Sequence, residues 1–596
     1  MLTSAELTVI GISAILLGLI FFTRLRVDVI ALLVLLMVAF TQLVPPGRAL
    51  SGFSSSVVIT IIGLLVITRG LEQTGVMQWV ARQLQRFGRG SEVKLITLVM
   101  SAGAAVSLLM NNVAAAAVLL PAALQVSRDS GVPASKLMMP LAFGVTLGGM
   151  ATYFTTANIL MSELLIAQGI AGLGMLDFMP VGGLIVAAGL LFMLLAGRRL
   201  LPERVSLTQS FHQVDLHDTY ELADRMWRAR VLPGSRLAHQ TVRESDINAE
   251  LGLTVAAVWR GGETIPIPKS TQMIYPADEL LIVGREERLR QLLAWGIELI
   301  EDGARAVADE LPIEPIEIMI APRSNAIGRT LSQMKLNRDA GLLAMALWRD
   351  GRSYHTDVRK MPLQVGDAIL VVGQSSDIQN LSQNSNYILP AGEYSARTIE
   401  SRKAPYAVGI TAVVLTLAFS NIVPTPIAML AGAALMVLTR CLRMEQFYAA
   451  VDWRTIFLVA GMLPLSLAIT ESGLADRVSV FLELSLMNAS PLLLFAVIAL
   501  LTMLVVQVIG GQVTPLLVGP IAIKAALQMG IDPRAMAVAV AMACSLAFIT
   551  PISHPVNILM MGPGGYKFSD FSRIGIGMTA VALVTMLLGL ALIWGI

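Results

Sequence analysis

Apolar runs separated by short polar gaps make up most of the chain. Those near 5–22, 28–44, 54–70, 179–196, 405–422, 425–440, 455–470 and 575–594 are rich in Leu, Ile, Val and Ala. Each approaches the roughly 20 residues of a helix that crosses a bilayer. Two further stretches, 95–126 and 491–529, are much longer and are interrupted near their middles, by Asn111-Asn112 and by Gly510-Gly511-Gln512. A single helix of about 30 residues would overshoot the bilayer by half. Each stretch is therefore two crossings folded back, or a re-entrant helical hairpin that enters and leaves on one side. Amides or glycines between apolar arms make a poor solvent loop. The pattern predicts hairpins whose tips stop inside the protein, packed or facing a cavity. Segments 137–168 and 534–561 predict helices broken near Asn158 and Asn557.

The two halves, 1–197 and 403–596, repeat. At an offset of 399 residues Pro121 falls on Pro520, Gly131 on Gly530, Ala142 on Ala541 and Asn158 on Asn557. At 398, Gly63 falls on Gly461 and Gly75 on Gly473. Each half reads as helices, an amphipathic stretch (Val76–Phe87; Leu474–Leu484), a hairpin and a broken helix. With the N-terminus outside and 197–404 inside, the inner connections hold 20 Lys or Arg and the outer ones four, in line with the positive-inside rule. An odd number of crossings then precedes the insert, so the second copy is inverted. Inverted repeats with broken helices meeting at the midplane are a secondary-transporter architecture. The run Leu7–Phe22 has no Lys or Arg before it and no small-residue cleavage site after it, and reads as a retained span rather than a leader.

Between the halves the pattern changes to short β runs, and a second repeat appears at 89 residues. Gly252 falls on Gly341, Trp259-Arg260 on Trp348-Arg349, Asp278 on Asp367 and Gly284 on Gly373. Each copy, 205–295 and 305–395, predicts a β run (Leu253–Trp259; Leu342–Trp348), a turn, then a buried strand (Glu279–Val283; Ala368–Val372). The insert holds no GxGxxG, no Walker motif and no catalytic carboxylate pair.

Composition sharpens the class. Only 14% of residues are charged, against about 25% in soluble domains, and 27 of the 41 acidic residues lie between Glu203 and Glu400. A soluble enzyme, a disordered scaffold and a secreted disulfide protein are excluded. Cys441 and Cys544 both sit in apolar segments with no zinc or disulfide spacing. A net charge of +2 gives no reason to expect a nucleic-acid partner. HExxH, GxSxG and paired intramembrane carboxylates are absent, so no enzyme is expected. The expected fold is a polytopic α-helical membrane protein of two inverted repeats, with re-entrant hairpins, broken helices and a cytoplasmic α+β insert. The expected location is the inner (plasma) membrane.

Two motifs resemble a known family. The run Asn111-Asn112-Val113-Ala114…Leu120-Pro121 resembles the Ser-Asn-Thr hairpin tip of the divalent-anion:sodium symporters. The run from Phe548 through Pro551, Ser553-His554-Pro555 and Asn557 to Tyr566 resembles their second broken helix. Leu147–Asn158 departs from the pattern, with Thr155 in place of a Gly and one residue missing, and Gly510-Gly511-Gln512 stands where a second Ser-Asn-Thr is common. The resemblance implies two RCK-C (TrkA-C) domains in the insert, a homodimer, elevator-type alternating access, and sodium-coupled symport of a small divalent anion such as sulfate or a dicarboxylate. A nucleotide-type ligand of the RCK-C domains is a further possibility of this kind.

Transport chemistry needs groups that hold ions without fixed charge, because a charge at the midplane costs several kcal/mol. Freed carbonyls and helix C-termini suit a cation; helix N-termini and amide N–H groups suit an anion. The expected substrate-binding residues are Asn112, Thr156, Asn158, Ser553 and Asn557. The expected sodium ligands are Asn111, Asn112, Val113, Thr155, Gly510, Gly511, Gln512 and Thr550, an all-oxygen set that fits a hard cation. Glu163 and His554 are candidate proton relays, which keeps a proton-coupled alternative open. An anion channel or sensor gated by the insert is a remoter alternative. Glu72 and Glu471, aligned at 399, are expected to cap helix ends.

Overall fold

Long runs of Leu, Ile, Val and Ala with few breakers wind into helices because the backbone must satisfy its own hydrogen bonds in an apolar medium. The computed structural model describes residues 2–203, 226–300, 314–334, 342–388 and 401–595, less a few short gaps within these ranges. The expected bounds at 205, 305 and 395, and Gly284 and Gly341, lie outside the described residues. In the first half the helices are α1 Ser4–Phe22, α2 Val27–Phe40, α3 Pro46–Leu50, α4 Ser56–Gln73, α5 Val76–Phe87, α6 Glu92–Ser107, α7 Asn112–Ser130, α8 Met138–Met150, α9 Thr156–Ala167 and α10 Met175–Phe192. In the second half they are α11 Ala404–Ser420, α12 Thr425–Leu438, α13 Met444–Ala450, α14 Trp453–Glu471, α15 Leu474–Leu486, α16 Pro491–Ile509, α17 Thr514–Gln528, α18 Pro533–Ala543, α19 Pro555–Gly564 and α20 Phe568–Trp594. Each helix of the first half thus has a counterpart ten places on.

Four helical stretches are long and apolar enough to cross a membrane among the described residues: 46–73, 175–200, 453–471 and 568–594. The apolar helices Thr156–Ala167, Pro491–Gln507, Thr514–Gln528 and Pro533–Ala543 are shorter because the chain breaks inside the long stretches. The first long stretch parts at 108–111 and the second at 510–513, while α8/α9 part at 151–155 and α18/α19 at 544–554.

The halves pack crosswise. α2 lies on α14 and α4 on α12. Close approach explains two of the repeated glycines: a Cβ at Gly63 would lie 2.7 Å from the Met429 backbone, and one at Gly461 would lie 2.8 Å from the Ala31 carbonyl. Small residues at such crossings let backbones meet in the absence of a hydrophobic drive between helices. The hairpin and broken helices form a second group, in which α9 packs on α17 and α18, and α19 on α7 and α8. Phe143 meets Phe548 edge-on at 5.0 Å between ring centroids. The Tyr566 hydroxyl donates to the Ser135 carbonyl at 2.6 Å and accepts from the Met139 amide at 2.8 Å. Glu72 and Glu471 do not cap; they pair with Arg69 at 2.9 Å and Arg48 at 2.5 Å, since a nearby guanidinium offers a full charge where a helix end offers half of one.

The insert forms two five-stranded antiparallel sheets: β1 Met226–Val231 through β5 Ile297–Leu299, and β6 Glu314–Ile320 through β10 Tyr387–Ile388. Between these run β2 Thr254–Arg260, β3 Glu263–Pro266 and β4 Glu279–Val283 in the first, and β7 Leu343–Arg349, β8 Arg352–Tyr354 and β9 Ala368–Gly373 in the second. Their orders, β3-β2-β4-β1-β5 and β8-β7-β9-β6-β10, are the same. A bulge falls at Val255/Ala257 in one and at Ala344/Ala346 in the other, 89 residues on. Arg260 and Arg349 each fork onto an aspartate, Asp278 and Asp367, both 2% exposed. The same aspartates take the amides of Tyr275 and Gln364. β1 and β6, which the sequence pattern did not single out, are the strands that close each sheet against β4 and β9. The sheets meet through Ala256, Ala257 and Leu281 on one side and Leu343, Ala346 and Leu370 on the other. Met319 and Ala368 of the second module join the core of the helical part. Beside them Glu317, 7% exposed, lies within electrostatic reach of Arg128 near the C-terminal end of α7.

Candidate functional site

The first hairpin tip is built by side chains. Asn111 caps α7, its Oδ1 accepting from the Val113 amide at 2.9 Å. Asn112 Oδ1 accepts from the Ser107 hydroxyl at 2.7 Å across the tip, and Gly149 leaves room for the Asn112 amide. The Thr152 hydroxyl donates to the Leu108 carbonyl at 3.0 Å, tying the first helix break to the tip. Inside that break Asn158 donates its Nδ2 to the Thr152 carbonyl. A carbonyl can only accept, so the side-chain oxygen is the free atom. Asn158 Oδ1 and Thr155 Oγ1 are buried with no partner among the described residues. Thr156 opens α9. Glu163 sits further along α9, half-buried, and takes a hydrogen bond from Ser56 at the start of α4.

The second tip is built by backbone. Gly510 has φ +86°, a left-handed conformation that favours glycine, and its carbonyl accepts from the Thr514 hydroxyl at 2.9 Å. A Cβ at Gly511 would lie 2.9 Å from the Cys544 carbonyl, so the tip rests against the second break. Gln512 makes no hydrogen bond among the described residues and is partly exposed. The amide that reaches the break is Gln507, whose Nε2 lies 3.5 Å from the Leu546 carbonyl and whose Oε1 is buried without a partner. In the break itself Asn557 Nδ2 donates to the Ala547 carbonyl at 2.9 Å, and its Oδ1 is likewise buried and unpartnered. The Ser553 hydroxyl meets the Thr550 and Ala547 carbonyls at 2.7 and 3.0 Å, and Thr550 Oγ1 accepts from the Ser553 amide at 3.2 Å. His554 caps α19 by accepting the Val556 amide on Nδ1 at 3.2 Å. That places its proton on Nε2 when the ring is neutral.

Residues 108–111, 151–155, 510–513 and 544–553 contain no Asp, Glu, Lys, Arg or His. The arrangement is thus neutral, and it is bordered by the starts of α7, α9, α17 and α19, the positive ends of their dipoles. An unpaired buried polar atom costs about 1–3 kcal/mol. Two asparagine oxygens, 399 residues apart, are both buried and unpartnered among the described residues, and an oxygen of that kind can accept a hard cation without adding charge.

The family model described as "Citrate transporter" (CitMHS) matches residues 17–513. The chain belongs to the citrate-transporter family. That is a family of permeases, not enzymes, and is related to the symporters that the two motifs resemble. A family relative, the uncharacterized transporter sll0640 of Synechocystis, is 30% identical over 96% of this chain and 94% of its own length. Sodium/sulfate cotransporter 2 of Chlamydomonas reinhardtii is 24% identical over 55% of this chain and 39% of its own. The crystal structure of the YdaH transporter of Alcanivorax borkumensis aligns over 100% of this chain and 98% of its own, at a TM-score of 0.46 and 14% identity. That likeness is too loose to carry a conclusion.

For this citrate-transporter family member, Ser107, Thr152 and Gln507 are the polar groups of the tips and breaks that sequence reasoning passed over. Ser107 and Thr152 lie a few residues from motif asparagines, and Gln507 is the one amide in the arm Pro491–Ile509. Those positions were the available signal.

Proposed function

We propose that the protein is a secondary active transporter that carries a small divalent anion, a sulfate-like oxyanion or a dicarboxylate, in symport with sodium. The observation that carries this is the pair of orphaned oxygens on Asn158 and Asn557 in neutral, broken helices. Sodium would take Asn158 Oδ1 and Thr155 Oγ1 in one half and, in the other, Asn557 Oδ1 with Gln507 Oε1, whose amides bond the adjacent carbonyls of Ala547 and Leu546. The anion would meet the helix starts, the Thr156 hydroxyl and the His554 Nε2–H. The Asn111, Asn112, Val113, Gly510, Gly511 and Thr550 backbone completes the cage, and Ser553 fixes its second break. The matching order of helices in the two halves supports an inverted repeat. The pairing of α2 with α14 and of α4 with α12, beside a second group of hairpin and broken helices that they meet through α14 on α17 and α4 on α9, supports a moving unit sliding against a fixed one, with α5 and α15 as connectors. A homodimer in the inner membrane with the insert in the cytoplasm follows from the resemblance and from the charge count. The two sheets of like order support a pair of RCK-C-type regulatory modules, with a nucleotide-type ligand as their candidate effector.

Uptake of labelled sulfate and succinate into proteoliposomes tests the reading. An imposed sodium gradient is expected to drive accumulation of one of them at constant pH. Accumulation that ignores sodium but follows a proton gradient, and that Glu163→Gln abolishes, replaces sodium by protons. Unitary currents with no accumulation against a gradient replace the transporter by a channel.

A further inference from the structure

α5 and α15 hold matching places in the two halves yet present different outer faces. α5 turns Met77 and Leu84 inward, 3% exposed each, and leaves Trp79 and Phe87 56% and 54% exposed. Arg82 and Arg86 are exposed beside them, and neither pairs with a carboxylate among the described residues. Trp79, Arg82 and Arg86 are spaced i, i+3, i+7 and share one stripe of the helix. At an offset of 398 Arg82 falls on Val480 and Arg86 on Leu484. There the outer face is Val480, Phe481 and Leu484, exposed by 42%, 68% and 65%. A helix that only met acyl chains would need the apolar set in both places. Tryptophan favours the headgroup level, and a guanidinium pairs with phosphate oxygens through two parallel hydrogen bonds.

We propose that α5 is a binding surface for acidic phospholipid headgroups in the leaflet on the side of the insert. Arg82 and Arg86 engage the phosphate, and Trp79 and Phe87 seat between headgroup and acyl chain. The one arginine of α15, Arg477, is paired with Glu6 at 2.7 Å, so α15 offers no free guanidinium and has no such preference. Because α5 packs on α7, a lipid held there bears on the arm whose first residue is Asn112. The inference depends on which leaflet α5 meets and not on which anion is carried, so it can fail while the transport reading stands.

Native mass spectrometry of the full chain, released from nanodiscs with equal phosphatidylglycerol and phosphatidylcholine, reads the ratio of bound lipids. Each arginine near an anionic surface is worth about fivefold, so the wild type is expected to retain phosphatidylglycerol by roughly tenfold or more. Arg82→Gln with Arg86→Gln is expected to bring the ratio near unity, and Val480→Gln with Leu484→Gln to leave it as in the wild type. An unchanged ratio in the arginine double variant, or an equal loss on altering α15, overturns the proposal. A preference abolished by inorganic phosphate also overturns it, marking a site for the free anion. Should the double variant fail to fold, the single variants carry the test: each is expected to lose about fivefold, and a wild-type ratio in either one overturns it.

Discussion

At the first hairpin tip Asn111 and Asn112 cap a helix and bridge to Ser107, while at the positions 399 residues on Gly510 and Gly511 offer no side chain and let the backbone close on Cys544. Behind the tips the difference disappears. Asn158 and Asn557 each tie a carbonyl of their own break and leave one oxygen unpaired. The breaks are alike and the tips are not. A tip can therefore be made from side chains or from backbone, provided it delivers oxygens and N–H groups without charge to a break that stays the same.

The sharpest way to attack this comparison is at the breaks. Asn158→Ala and Asn557→Ala each remove a free oxygen and strand the carbonyl that the amide held. Each is expected to lower initial uptake roughly tenfold to a hundredfold, at about 1–3 kcal/mol for every buried polar group left unpaired. Reductions of very different size in the two variants would break the equivalence. Next come the tips. Gly511→Asn writes the first tip into the second and drives a Cβ against the Cys544 carbonyl. A loss of about 1–3 kcal/mol in thermal stability is expected, whereas Asn112→Gly forfeits the bond to Ser107 for about 1 kcal/mol. Equal tolerance of both would show that the backbone-built tip has room to spare. The smallest contrast lies between two glutamines. Gln507→Leu is expected to weaken the sodium dependence of uptake severalfold, since it removes one buried amide. Gln512→Leu is expected to leave it unchanged, and the reverse order would return Gln512 to the site.

Much of this was legible because the local signals are strong. Val76–Phe87 is a helix with the bounds its amphipathic pattern predicts, and Glu279–Val283 is a strand with the bounds its buried run predicts. Asn-Asn and Gly-Gly inside apolar stretches marked where the chain parts, since helix formers stop there for no other reason. What stayed hidden depends on partners far away in sequence. Gln507 is one amide among aliphatics until Leu546 is known to face it. Thr152 carries no motif of its own, and its link to Leu108 spans 44 residues. β1 and β6 were not marked as strands because their pairing partners lie some fifty residues on. The Met319 and Ala368 patch reads as ordinary sheet interior, and only the fold shows that it is turned toward the helices.

α7 joins two of these places. It runs unbroken for 19 residues, about 28 Å at 1.5 Å per residue, from Asn112 to the turn beside Arg128. The helix carries on through Pro121 in its interior, so a displacement at one end bears on the other. If the hairpin shifts, Glu317 and the sheet behind it must travel along or let go of Arg128. The soluble modules are thus coupled to the tip as a load on the far end of a lever. Their bulk and their grip on each other bear on Asn112 through a single piece of secondary structure.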